Sequence, residues 1–178
     1  MKRQWMINGA LFAGVVAGAL FLEVLFGLAD PVERNSRALA ASMKTLKAGE
    51  NGTKISLEEV APFSWEEVYS FDPYVSVEEM KGVLGTGGKH LEEAISEGQV
   101  QLVFLEQGEV TASVCGYGED LGYDIDLGLW EDGKRYRRVS AGVNEFTLYT
   151  DGEYPRLVFE GERFLGTILE RWESSALV

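Results

Sequence analysis

The chain has 178 residues, 46% of them hydrophobic, and 16 lysines and arginines against 29 aspartates and glutamates, a formal net charge of −13. From Thr53 onward ten basic residues meet twenty-five acidic ones, a net of −15, and such a field argues against nucleic acid and against general attraction to anionic lipid. Cys115 is the only cysteine, which excludes an intramolecular disulfide and a lipobox cysteine after the apolar stretch at the amino terminus.

That stretch, Trp5 to Leu28, reads WMINGALFAGVVAGALFLEVLFGL, with Lys2 and Arg3 before it and Asp30 and Pro31 after it. A helix rises about 1.5 Å per residue, so the part before Glu23 covers roughly 27 Å, close to the hydrocarbon thickness of a bilayer. The expectation is an amino-terminal signal-anchor or transmembrane helix over residues 1–29, because the apolar region of a cleaved signal runs only to about 15 residues. Cleavage near Ala29, after the small pair Gly27 and Ala29, is the alternative and would leave a secreted domain. Arg34, Arg37, Lys44 and Lys47 follow within twenty residues, and counted alone they favour a cytoplasmic domain. Gly14-x-x-x-Gly18 meets a close-packing pattern for helix pairs, as a small accessory subunit of a membrane complex would need.

Residues 30–54 read as a linker or stalk. Leu39, Met43 and Leu46 recur at spacings of four and three, one thin apolar side of a modest helix ended by Gly49 to Gly52. The soluble domain is expected over 55–178. ISLEEVAPF is a short amphipathic turn closed by Pro62, and EEVYSF is a first strand ended by Asp72 and Pro73. Ser76 caps a helix through Val77, Met80, Val83 and Leu84, with Glu79 completing a capping box. Glycines 85, 87 and 88 break it, and KHLEEAISEG supplies a second short helix through Leu91, Ala94 and Ile95.

From Val100 the hydrophobic period is two. QLVFLE and EVTASV form a hairpin across Gln107 and Gly108; YDIDLGLWE and KRYRRVSAG form another across Asp132 and Gly133; VNEFTLY and PRLVFEG form a third, with Pro155 at an edge or bulge. RFLGTILE closes the sheet. The fold class is thus α+β: an amino-terminal membrane helix, then a mostly antiparallel sheet of five to seven strands with two short helices.

Glu119, Asp120, Asp124 and Asp126 fall within eight positions and invite a divalent-cation site, since hard cations take several carboxylate oxygens. The Asp132-Gly133 hairpin would instead set Asp126 opposite Val139 and diagonal to Arg137, making the acids one half of cross-strand charge pairs. Lys134 to Arg138 is the domain's basic cluster, and on a strand its side chains alternate, which splits it. His90 and Cys115 are single, and no third group orients a base toward a nucleophile, so Cys115 reads as a buried small hydrophobe and His90 as a surface residue. GTGG at 85–88 lacks a phosphate-loop pattern, and no cofactor is expected. Trp65, Tyr69 and Tyr74 are the candidate ligand platform, amphipathic aromatic faces suited to sugar rings.

Trp65, Glu66, Val68, Tyr69, Phe71, Pro73, Tyr74, Ser76 and Glu79 together resemble a segment of small bacterial envelope proteins and lipoproteins of unknown function. The resemblance covers about a sixth of the chain. It implies a domain outside the cytoplasmic membrane, against the charge count, and carries over no catalytic residue. The expected function is a non-catalytic, membrane-tethered binding or assembly module on the outer face, with an envelope protein or polymer as partner. The rival is an envelope polysaccharide hydrolase using a carboxylate pair held about 5 to 10 Å apart.

Overall fold

The computed structural model describes residues 30–128 and 133–159. The expected membrane helix over 1–29, the strand RFLGTILE and the tip of the Asp132 turn lie outside them. No helix among the described residues is long and apolar enough to cross a membrane.

The elements, in chain order, are α1 (Pro31–Thr45), a 3-10 turn (Leu46–Ala48), β1 (Lys54–Ser56), α2 (Leu57–Val60), β2 (Glu67–Phe71), α3 (Val77–Leu84), β3 (Gln99–Glu106), β4 (Glu109–Tyr117), α4 (Gly118–Leu121), β5 (Asp124–Asp126), β6 (Tyr136–Ser140), β7 (Glu145–Tyr149) and β8 (Arg156–Phe159). The α+β class holds, but the single sheet with two short helices does not. Among the described residues eight strands form two four-stranded sheets, β1-β7-β8-β5 and β4-β3-β2-β6, alongside four α-helices. All pairings are antiparallel except β5 with β8.

Two of the three expected hairpins form. β3 and β4 pair from Glu106↔Glu109, and Gln107 and Gly108 both take positive φ, 51° and 79°, as a two-residue primed turn requires. β7 and β8 pair from Tyr149↔Arg156, and Pro155 stands just before β8, an interior strand, rather than at an edge. The Asp132-Gly133 hairpin is overturned: β5 joins β8, while β6 joins β2 with Val139 opposite Val68. Gly128 marks the departure. Its φ is +89°, and a Cβ there would lie 2.7 Å from the Phe159 carbonyl oxygen, so only glycine lets the chain leave β5 past β8. Alternation and an Asp-Gly pair are local signals, and the partner of β6 is decided by what β2 lacks on its free side.

The second helix expected over 89–98 is also absent, and that segment is irregular. Its backbone is held by Gln99 Oε1, which accepts from Ile95 N–H at 2.8 Å and Ser96 N–H at 3.2 Å, and by Tyr74 N–H donating to Ala94 C=O at 2.7 Å. The capping box does form, with the Ser76 hydroxyl accepting from Glu79 N–H and the Glu79 carboxylate from Ser76 N–H; this bonding holds the exposed Glu79 carboxyl below its ordinary value.

Sheet β4-β3-β2-β6 is buried on both faces. Val68, Leu102, Phe104 and Val139 enter the larger core with Phe146, Leu148 and Leu157 of the other sheet. Tyr69, Phe71, Val103 and Leu105 pack with Met80 and Leu84 of α3. A strand covered on both sides needs apolar residues facing each way, which is why Leu102 to Leu105 of β3 is a continuous apolar run rather than an alternation; the buried Gln101 before it is the polar exception, its amide donating to Glu92 C=O.

Nor is the 30–54 stretch a stalk. Leu39 and Met43 of α1 are fully buried in the larger core. On the same helix the Asn35 amide donates to Thr111 C=O at 2.9 Å, and the Ser36 hydroxyl accepts from Ser113 N–H at 3.1 Å, its one hydrogen shared between Val32 C=O at 2.8 Å and Ser113 C=O at 2.9 Å. These bonds satisfy outward main-chain groups of β4, an edge strand, at Thr111 and Ser113, so α1 covers that part of the edge.

Candidate functional site

The three aromatic residues expected to form one platform are separated by the alternation of β2 and the loops around it. Trp65 is 6% exposed and meets Phe104 edge to face at 5.7 Å in the larger core. Tyr69 is buried in the smaller core, stacked on Phe71 at 6.2 Å, its hydroxyl donating to Glu67 at 2.9 Å; burial is the main cause raising its pKa. Only Tyr74 stays in solvent, 60% exposed.

Tyr74 also has a φ of 65°, in the left-handed region that side chains with a Cβ pay to occupy. Its N–H bond to Ala94 sets it beside Ile95, which is 71% exposed. The chain neighbours Val75 and Ala94 are buried, 3% and 1% exposed. Two large apolar side chains therefore project from a backbone pinned on both strands of chain. Sequence reading missed Ile95 because it placed that residue on the apolar side of a helix; the helix does not form, and the side chain turns outward.

The acidic candidates are accounted for by arginines. Asp124 accepts from Arg156 Nε at 3.0 Å, and Asp126 is ion-paired with Arg137, the diagonal partner expected, reached from the other sheet rather than across a shared hairpin. Glu119 and Asp120 lie exposed on the single turn of α4. Among the described residues no three histidine, cysteine or acidic side chains are arranged to hold a metal ion. The basic cluster is spent in the same way: Arg135 on Glu79 at 3.4 Å, Arg138 on Glu67 at 3.1 Å, and Arg137 on Asp126.

His90 and Cys115, far apart in sequence, line one cavity of about 550 Å³ between α1, β4 and the 89–92 segment, together with Lys89, Glu92, Ser36 and Tyr123. The sequence holds no signal for this meeting, since it depends on α1 docking at the β4 edge. Burial, then the Glu92 charge, pushes the Cys115 thiol up, so it stays protonated and is a poor nucleophile. Burial pushes the Tyr123 hydroxyl up to about 12. No known family model, curated protein or solved structure matches this chain.

Proposed function

We propose that this chain is a non-catalytic binding or assembly module held at the outer face of a bacterial cytoplasmic membrane by its apolar Trp5–Leu28 stretch. The observation that carries the binding part is the Tyr74–Ile95 pair. An outward-facing aromatic on left-handed backbone beside an exposed isoleucine costs folding stability that its main-chain bond to Ala94 does not require a tyrosine to supply, and tyrosine is a frequent anchor of protein interfaces. The membrane part rests on the length of the apolar stretch, and the outer face on the resemblance of Trp65 to Glu79 to envelope proteins. Nothing favours the hydrolase reading: Asp124 and Asp126 each hold an arginine rather than flanking a cleft.

The test uses the full chain in intact cells. A photocrosslinking residue in place of Ile95 is expected to capture one discrete partner, and Tyr74→Gly to abolish that product. Tyr74→Gly should leave the fold as stable as before, because relief of about 1–2 kcal/mol of left-handed strain offsets about 0.5–1 kcal/mol of added backbone freedom. No discrete product, or one that survives Tyr74→Gly, overturns the binding reading. Protection of the domain from external protease in opened-envelope cells overturns the placement.

A further inference from the structure

We propose that the cavity between α1, β4 and the 89–92 segment binds a small neutral molecule with an aliphatic body, whose carbonyl oxygen accepts a hydrogen bond from the Tyr123 hydroxyl. The site shares no residue with the Tyr74–Ile95 pair and does not depend on the membrane reading, so the two stand or fall separately. Its volume of about 550 Å³ falls within the range of small-molecule sites, roughly 300–1,000 Å³.

The walls are aliphatic, from Val32 and Ala40 of α1, Val114 of β4 and Leu121 of α4. Much of the polar lining is already engaged. The Ser36 hydroxyl is bonded to Ser113 N–H and C=O, and Glu33 and Arg37 pair with each other at 3.0 Å on the solvent side. The remaining charges are of both signs, Lys89 and Glu92 on one segment, so no net field selects an ion.

Tyr123 is the exception. It follows α4 through Gly122, whose φ is +77°, and its ring is buried in the larger core. The residue is 1% exposed and lines the cavity. Its hydroxyl has no hydrogen-bond partner among the described residues, yet it is not among the unpartnered side-chain atoms sealed from solvent, as the Trp65 indole N–H is. The little of Tyr123 that solvent reaches is therefore at the hydroxyl, on the cavity wall. An open donor on a side chain this deeply buried is uncommon unless water or a ligand meets it.

The open donor fixes the class of ligand. The phenol hydrogen lacks a partner, so the complement is an acceptor. A carbonyl oxygen accepts and brings no hydrogen that would itself need a partner, whereas a hydroxyl does. A carboxylate also accepts, but the burial that pushes the Tyr123 and Cys115 groups up opposes any negative charge in the same space. Aliphatic walls call for an aliphatic body.

The experiment uses Cys115, which lines the same cavity and is the only thiol, so its alkylation reports occupancy with no other site contributing. The purified full chain is treated with N-ethylmaleimide in the presence of 2-nonanone, nonanoate or n-nonane, and the labelled fraction is followed by mass spectrometry. We expect 2-nonanone to slow labelling saturably, and nonanoate to need at least threefold more for half-protection. Tyr123→Phe removes a hydroxyl that bonds to nothing in the chain, so the thermal midpoint should not fall. In that variant 2-nonanone should lose at least threefold in half-protection, while n-nonane, which has no acceptor, should lose nothing. Equal protection by nonanoate and 2-nonanone overturns the neutral-carbonyl assignment. Absence of saturable protection, which would leave water as the partner of Tyr123, or equal protection of the variant and the parent chain by 2-nonanone, overturns the site.

Discussion

α1 and α3, the two longest helices described, dock on the same sheet in opposite ways. α3 lies on a face of β4-β3-β2-β6 and contributes bulk, Met80 and Leu84, into a core of aromatic and aliphatic side chains. α1 lies along the edge of β4 and contributes three buried side chains, Val32, Leu39 and Met43, and a set of polar bonds to main-chain groups. The difference teaches that the width of a helix's apolar side does not measure how deeply the helix is committed to the fold. Each helix buries only a few side chains, and the edge-docked one adds donors and acceptors at the height of the strand beside it.

The largest effect that sharpens this contrast comes from removing α1. A fragment that starts at Ile55 is expected not to fold, because it exposes the β4 edge and empties the positions of Leu39 and Met43; circular dichroism and thermal melting against a fragment starting at Asp30 check this. In the full chain Leu39→Ala alone should cost about 2–5 kcal/mol, as deep a loss as Met80→Ala under α3. A cost below 1 kcal/mol for Leu39→Ala would return α1 to the status of a stalk.

Next in size is a pH effect at Tyr123, which lines the cavity beside α1. Its hydroxyl is raised from 10.0 to about 12 in the folded chain, so the native state resists ionisation that the unfolded chain accepts. The stability this group contributes is complete below pH 10 and is lost as pH climbs toward 12, an effect on the order of 2–3 kcal/mol. Denaturant midpoints measured between pH 9 and 12 should fall, and Tyr123→Phe should flatten the slope while α3, on the other side of the sheet, is untouched.

The smallest effects compare one serine from each helix. Ser36→Ala leaves Ser113 N–H and C=O without their partner and should cost about 1–3 kcal/mol. Ser76→Ala removes the cap of α3 and should cost about 1 kcal/mol. The order would reverse if α1 were held by its apolar residues alone, and chemical denaturation of the two variants decides it.

These contrasts also mark how far the residues could be read in advance. The β3–β4 hairpin and the α3 capping box were legible because each is closed by contacts within a few residues, Gln107 with Gly108 and Ser76 with Glu79, whereas α2 read only as a short turn. The division into two sheets was not. It turns on β6 choosing β2, some seventy residues back, over the nearer β5, and on Gly128 letting the chain pass Phe159. The same limit governs the sites. Pairing of Asp126 with Arg137 was foreseen from charge and parity, though through the wrong ladder. Trp65, Tyr69 and Tyr74 looked like one surface because they are close in sequence, and the fold sends each to a different environment.

Ser36 has one more consequence. A strand that covers another strand presents a fresh row of donors and acceptors on its far side, so the lattice of bonds can grow from molecule to molecule. A hydroxyl that covers a strand presents nothing further, and growth stops there. Wherever copies of the chain meet often, a variant lacking that hydroxyl would leave main-chain groups of a finished margin open to pairing from copy to copy.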